Sequence, residues 1–325
     1  MKLDKLIANK QKSAQYMIDE ITHICKDMPK RDPGSEGEKI ACEYMAEVLK
    51  NDCGCEKVSV ESFEEHPGSF FGWIYFTFTF IFLAMLSLFF FSNLLSAILI
   101  AAGFAIAFIQ FGTYKKLMDP FFKKKIGHNV TAIKSCTGEV KRRVFFNGHP
   151  DAAWEWPVNY ALGGVGFEGH AIISAVGALY YLILSVIGIA KYGLSVNGLQ
   201  DGTLKTCALW GLLFVPFFIG MYFMWNKKRV VDGANDNLSG CYMGIALLKA
   251  LKDEGIDLEN TEVGVILTGS EEAGLRGAKA WCEQHKGEFQ DVPTFIFSYD
   301  TIHDPKYLMT NYRDLNATVK ADKDV

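Results

Sequence analysis

At 325 residues the chain can hold one large domain or two ordinary ones, and its mild net charge of −4 predicts no nucleic-acid partner. Half of its residues are hydrophobic, and 25 Phe are more than a soluble α/β enzyme needs. Eight Cys without paired C-x-x-C spacing, behind a charged N-terminus with no apolar signal core, read as reduced structural thiols rather than a disulfide scaffold.

Met17, Ile18, Ile21, Ile24, Cys25 and Met28 recur at helical spacing, which predicts an amphipathic helix that Pro29 and Pro33 close. Ser35-Glu36-Gly37-Glu38 has the form of a capping box ahead of a second helix, with Ile40, Ala41, Tyr44, Met45, Val48 and Leu49 as its buried stripe. Residues 56–63 alternate apolar and polar side chains, the period of a half-exposed strand.

No charged residue occurs over 68–114. A membrane span takes roughly 20 apolar residues, so this interval accommodates two, 70–91 and 94–111, turned at Ser92-Asn93. Two more candidates lie at 171–190 and 206–225. A very hydrophobic soluble core is the other reading, and the length of the uncharged runs weighs against it. Lys115, Lys116 and Lys123 to Lys125 follow the first pair and Lys227, Lys228 and Arg229 the second, while the intervening turns carry few charges. By the positive-inside rule the soluble parts face the cytoplasm and both hairpins dip outward. Phe121-Phe122 beside the lysines suits an anionic membrane surface, or else the patch is a solvated loop. Trp154-Glu155-Trp156-Pro157 reads either as the rim of a substrate site or as an interfacial aromatic belt.

Residues 128–134 and 142–147 read as strands joined by a turn, a helix is predicted from Ser239 to near Gly255, and another over 274–285. The expected architecture is α/β, a mixed central sheet flanked by helices. The catalytic domain takes 1–67, 113–169 and 226–325, and the inserted transmembrane hairpins take 68–112 and 170–225.

Three apolar strands end in chemistry. Val144 to Gly148 runs into His149-Pro150-Asp151, Val263 to Thr268 into Glu271-Glu272, and Thr294 to Ser298 into Asp300. Carboxyl ends of strands in an open α/β sheet are where ligands bind, so these side chains are expected to converge. Asp236 sits in the polar turn 231–240, which taken alone is an ordinary loop closed by a cap at Asn237 or Ser239. His149, Asp236, Glu272 and Asp300 make a nitrogen and oxygen donor set suited to zinc or a similar divalent ion. So many acids exceed one tetrahedral site and suggest two ions, with Asp236 best placed to bridge them. Asp151 can accept the second imidazole N–H and fix the ring. On an extended segment neighbouring side chains point apart, which leaves Glu271 free to act on water as a general base beside a ligating Glu272.

These motifs resemble the co-catalytic zinc aminopeptidase family, which also contains glutamate carboxypeptidases and glutaminyl cyclases. Arg31-Asp32-Pro33-Gly34-Ser35-Glu36-Gly37 is similar to that family's N-terminal segment. The resemblance implies a zinc exopeptidase-like fold, with His149, Asp236 and Asp300 on one zinc and Asp236 and Glu272 on the other. It further implies Glu271 as base, Asp151 as orienter and a cis peptide after Asp236. Two features depart from the pattern. Residues 152–235 separate the His-x-Asp from Asp236 and include a hairpin, which is expected to set a lipid-facing wall beside the substrate. The family's last His ligand lies well past the Asp300 equivalent, whereas this sequence stops at Val325 after a strand-like 315–320, and His303 reads as a loop residue. A truncated sequence with a weak or missing second zinc is therefore expected.

The function expected is a four-span, membrane-bound, cytoplasm-facing zinc exopeptidase acting on peptide N-termini. A glutaminyl cyclase-like acyltransferase is the alternative within the same fold, and a catalytically silent binding protein the alternative outside enzymes. Peptide substrate and lipid bilayer are the expected partners, and the sequence leaves the oligomeric state open.

Overall fold

The computed structural model describes residues 4–194, 199, 202–302, 304–313 and 319–322. His303 and most of the strand expected over 315–320 lie outside the described residues. The chain divides into two units. One comprises Met1–Pro67, Lys123–Ala153 and Val230–Val325, and the other Gly68–Phe122 and Trp154–Arg229.

The first unit is built on a five-stranded sheet of β1 (Lys57–Glu65), β2 (Lys125–Lys134), β3 (Arg142–Gly148), β4 (Thr261–Thr268) and β5 (Thr294–Ser298). The strand order is β1-β2-β4-β3-β5, with β1 and β2 antiparallel to their neighbours and β4, β3 and β5 mutually parallel. The mixed sheet agrees with the expected fold class. Its strands alternate sides with period two. Val130, Ala132, Val263, Val265 and Leu267 face helices Lys10–Asp27, Glu36–Asn51 and Ser239–Asp253, where they bury against Met45, Leu49, Ile245 and Leu248. Ile133, Phe145 and Ile266 face the opposite way, onto Trp281 of helix Arg276–Gln284.

Strand β2 begins earlier than expected and recruits part of the lysine patch. Lys125 Nζ lies 3.2 Å from Asp32 Oδ2 and also donates to the Pro33 carbonyl, while Lys124 pairs with Glu64 at 2.5 Å.

The second unit holds four helices long and apolar enough to cross a membrane, Ser69–Phe90, Asn93–Gly112, Pro157–Tyr192 and Gly202–Met221. They match the four expected spans. The third is longer than expected and turns at Gly163, whose φ of 68° takes it out of the helical range. Both tryptophans of 154–157 are spent on packing within this unit. Trp154 meets Trp225 edge-on at 5.2 Å, and Trp156 meets Phe71 at 4.6 Å and Phe167 at 5.1 Å. Lys227 Nζ lies over the rings of Trp225, Tyr75 and Phe122, a cation–π cluster that holds an ammonium among aromatics.

Candidate metal centre

Because β4, β3 and β5 are parallel neighbours, their carboxyl ends share one edge of the sheet. Gly148 of β3 pairs with Leu267 of β4, and Asn147 with Ser298 of β5, so the segments that follow start level. Asn147 ties the three ends together. Its Nδ2 donates to the Ile266 carbonyl at 2.8 Å, its Oδ1 accepts from Ser298 Oγ at 3.2 Å and its carbonyl accepts from Tyr299 N at 2.9 Å. At Gly148 a Cβ would meet Cys241 N at 2.6 Å, so only glycine lets the strand end press on helix Ser239–Asp253.

His149 follows on the central strand, 3% exposed. Its Nε2 lies 3.1 Å from Asp236 Oδ1 and 3.8 Å from Glu271 Oε2, and its Nδ1 lies 3.3 Å from Asp151 Oδ1. None of these contacts has hydrogen-bond alignment, and both ring nitrogens are buried without a hydrogen-bond partner. Donor atoms of His149, Asp236 and Asp300 lie within 4.8 Å of one another, as do those of His149, Glu271 and Glu272. All five side chains expected to converge therefore do so. The residue common to the two groups is His149, with Asp236 in the first only.

Asp151 has a second task. It is fully buried, and its two carboxylate oxygens accept from the backbone N–H groups of Glu271 and Glu272, each at 3.0 Å. The pair is thus docked onto the β3 end by its own main chain. Nor is the Glu271-Glu272 segment extended. Ser270 has a φ of 54° and starts a turn, so neighbouring carboxylates are not thrown to opposite sides and both reach His149.

The Asp236 turn is anchored on both sides. The Asp236-Asn237 peptide bond is cis, as the resemblance implied. Asn237 Oδ1 accepts from Gly240 N at 3.0 Å, the capping contact expected of it, and its Nδ2 donates to the Tyr299 carbonyl at 2.8 Å. Ser239 Oγ donates to the Asn235 carbonyl and accepts from Ile302 N. The loop bearing Asp300 is thereby fixed to the loop bearing Asp236.

Crowded carboxylates raise one another's pKa. Burial, and then the carboxylates of Asp151, Asp300 and Asp236, push Glu271 up to about 7 against the pull of His149. Burial and then Asp236, Asp151 and Glu271 push Glu272 up to about 9. Burial opposes a charge on His149, yet Asp151 and Asp236 hold its pKa well above the ordinary value. A cation among these groups relieves that repulsion and gives the partnerless Nε2 a ligand, so the donor set fits a divalent metal.

Behind the turn lies a second acid pair, which no local motif marks. Glu38 and Glu65 are 0% and 2% exposed, and Ser270 Oγ sits 2.9 Å from Glu38 Oε2 and 2.5 Å from Glu65 Oε1. One hydroxyl proton cannot serve both contacts, so one acid keeps its own. Burial drives Glu38 well above the usual carboxylate range and Glu65 up to about 7, in line with that count.

The mixed sheet thus gathers one imidazole and several carboxylates at its parallel strand ends, donors that a divalent metal would suit. Residues 221–319 match the model of peptidase family M28. The match spans Asp236, Glu271, Glu272 and Asp300, and the fold adds His149 and Asp151 from outside it. No sequence among the curated proteins matches the chain. Among solved structures it is similar to a zinc aminopeptidase from Bacillus subtilis, at 11% identity and TM-score 0.44 over 89% of this chain and 69% of that one. It is also similar to an aminopeptidase from Aneurinibacillus sp. strain AM-1, at 13% identity and TM-score 0.43 over 89% and 70% of the two chains. A Zn-dependent exopeptidase from Parabacteroides distasonis gives 10% identity and TM-score 0.40 over 89% and 60%.

Proposed function

We propose that this protein is a membrane-bound zinc exopeptidase of the M28 type that hydrolyses the N-terminal peptide bond of peptides, a reading that the family match over 221–319 supports. The observation that carries the proposal is the buried His149, whose ring nitrogens lack an aligned hydrogen bond and whose donor atoms cluster with Asp236 and Asp300 and with Glu271 and Glu272. His149, Asp236 and Asp300 would hold one zinc, and Asp236 with Glu272 would reach a second. When bound, zinc supplies Lewis acidity, polarising the scissile carbonyl and lowering the pKa of water toward ~7. Glu271 takes the proton from the attacking water and returns it to the leaving amine. Asp151 acts by position, setting the Glu271-Glu272 main chain relative to His149.

The four apolar helices support a membrane-embedded chain, and Lys115, Lys116, Lys227, Lys228 and Arg229 at their ends support a cytoplasmic catalytic unit. The test is zinc analysis of the purified full-length protein with an aminoacyl-anilide assay, repeated on Glu271→Gln. Bound zinc with hydrolysis that Glu271→Gln abolishes is the expected result. Full zinc occupancy without hydrolysis in the parent sinks the peptidase reading and leaves a silent scaffold. Cyclisation of an N-terminal Gln peptide would move the reading to a cyclase.

A further inference from the structure

Two of the side chains that bring the site together come from outside the metal-binding motifs. Arg31 is 1% exposed and makes no contact with any of the converging acids among the hydrogen bonds described. Its guanidinium instead donates to three main-chain carbonyls. Nε reaches Pro150 O at 2.7 Å, and Nη2 reaches Asp232 O at 2.7 Å and Gly233 O at 3.1 Å. Its own carbonyl accepts from Ala152 N at 2.9 Å. One residue thus clasps the loop carrying His149 and Asp151 and, with the same fork, the turn leading to Asp236. The fit is close. Gly233 has a φ of 60°, and a Cβ there would stand 2.7 Å from Arg31 Nη2.

Seven residues on, Glu38 does the same for the other half of the site. Its Oε1 accepts from His128 N at 2.9 Å, and its Oε2 from Gly34 N at 2.6 Å and Ser270 Oγ at 2.9 Å. Ser270 is the residue whose left-handed backbone aims Glu271 and Glu272 at His149. That conformation is unfavourable for a non-glycine residue, and the hydroxyl contact to Glu38 offsets it. The capping-box reading captured only half of this. Ser35 Oγ accepts from Glu38 N as a cap should, but the Glu38 carboxylate turns inward to Ser270.

We infer that segment 31–38 is the positioning element of the metal centre, with Arg31 locking the His149 and Asp236 loops together and Glu38, through Ser270, locking the Glu271-Glu272 turn onto them. Neither residue hydrogen-bonds a metal donor, so Arg31 acts through main-chain carbonyls and Glu38 through the Ser270 hydroxyl. The inference rests on the proposed zinc site, and the experiment separates the two. Zinc affinity of the full-length protein is measured by competition with a chromophoric chelator for the parent, Arg31→Lys and Glu38→Gln, alongside hydrogen exchange of the metal-free proteins. Lysine keeps the charge of Arg31 but not its fork, and glutamine turns an amide N–H toward donors that Glu38 accepts from. Expected is a 10- to 100-fold weaker zinc affinity for each variant, of the order seen when groups behind metal ligands are removed. Exchange should quicken at 149–152 and 232–238 in Arg31→Lys and at 270–275 in Glu38→Gln, with β2 and β4 unchanged. A parent that binds no zinc ends the proposed function. A parent that binds zinc, with variants of equal affinity and unaltered loop exchange, overturns the positioning role alone. Should Glu38→Gln loosen the whole unit, Ser270→Ala, which removes only the hydroxyl, carries the test, and parental zinc affinity in that variant overturns the role of Glu38.

Discussion

Ser185 in the apolar unit and His149 in the site-bearing unit are both buried polar side chains, and they are treated in opposite ways. Ser185 Oγ lies 2.8 Å from the Tyr181 carbonyl of its own helix and 2.9 Å from Ser96 Oγ, so it donates to one and accepts from the other. Thr77 donates to the Gly103 carbonyl and Tyr181 to that of Ala208 in the same manner. At these three positions the polar group is neutral and is satisfied by a neighbouring helix or its own. In the other unit the buried groups are titratable, and their main-chain supports are satisfied while their reactive atoms are not. Asp151 spends both oxygens on amides, yet His149 keeps two free ring nitrogens. An unpartnered buried atom speaks for a ligand where several donors converge on it, as they do at His149.

The sharpest way to break this contrast is at Glu271. Glu271→Gln keeps size and hydrogen-bonding reach while removing the base, so kcat should fall by about 10²- to 10⁴-fold with zinc content unchanged. Anilide turnover and metal analysis on one preparation check both halves. Retained turnover would place the base elsewhere. Next in size is Asp151→Asn, which replaces one of the two accepting oxygens by an N–H facing the Glu271 or Glu272 amide. A loss of about 1–3 kcal/mol in stability is expected from the unsatisfied pair, read as a lower melting temperature of the metal-free protein. Zinc affinity should drop by roughly 10- to 100-fold as the turn loses its dock. An asparagine variant as stable and as tight as the parent would reduce Asp151 to a spectator.

What the sequence disclosed follows the reach of each signal. Apolar strands ending in His149, Glu272 and Asp300 are local patterns, and the parallel order β4-β3-β5 makes them meet. The four apolar helices were legible for the same reason, since an uncharged run needs no context. The segment before residue 171 was not, because Gly163, Gly164, Gly166 and Gly169 interrupt the apolar pattern and conceal a helix that starts at Pro157. Arg31, Asn147 and Glu38 went unread as site residues because they bind backbone carbonyls and amides up to 202 positions away, which no periodicity encodes. The turn at Ser270 misled for another reason. Serine is not a residue that announces a left-handed backbone, so an extended segment was the natural assumption and the two glutamates were assigned to opposite sides.

The acid pair behind Ser270 offers a smaller, pH-resolved test. Glu65 is raised from an ordinary value of 4.5 to about 7, chiefly by burial, so the fold prefers its protonated form. Its contribution to stability is complete below about pH 4.5 and is lost as pH climbs through 7. Glutamine mimics the protonated acid and cannot ionise. Thermal melting of the metal-free parent should therefore weaken between pH 5 and 8 more steeply than that of Glu65→Gln, by at most about 1.4 kcal/mol per pH unit. Glu271 and Glu272 titrate in both proteins and cancel in the comparison. Parallel melting curves would mean that Glu65 is ionised in the fold and that the proton shared around Ser270 belongs to Glu38 alone.

The smallest effect expected lies in the apolar unit, at Asn93, which with the indole N–H groups of Trp73 and Trp225 departs from local satisfaction. Asn93 is 1% exposed, and neither its Oδ1 nor its Nδ2 has a hydrogen-bond partner. It packs instead on Gly188, where an added Cβ would stand 2.6 Å from Asn93 Nδ2. No second donor group converges there, so Asn93 acts as a spacer between helices Asn93–Ala107 and Pro157–Tyr192. Asn93→Ala exchanges an unsatisfied amide for a small void, and the two terms should nearly cancel, within about 1 kcal/mol. Gly188→Ala alone should cost about 1–3 kcal/mol by overpacking. The double variant is the informative one. With alanine at 93 the methyl at 188 has room, so the double variant should recover most of the loss, which a melting series in one detergent measures as a coupling energy. If alanine at 188 costs the same with either residue at 93, the glycine serves some other contact, and Asn93 would have to be reconsidered as a polar group held for a ligand.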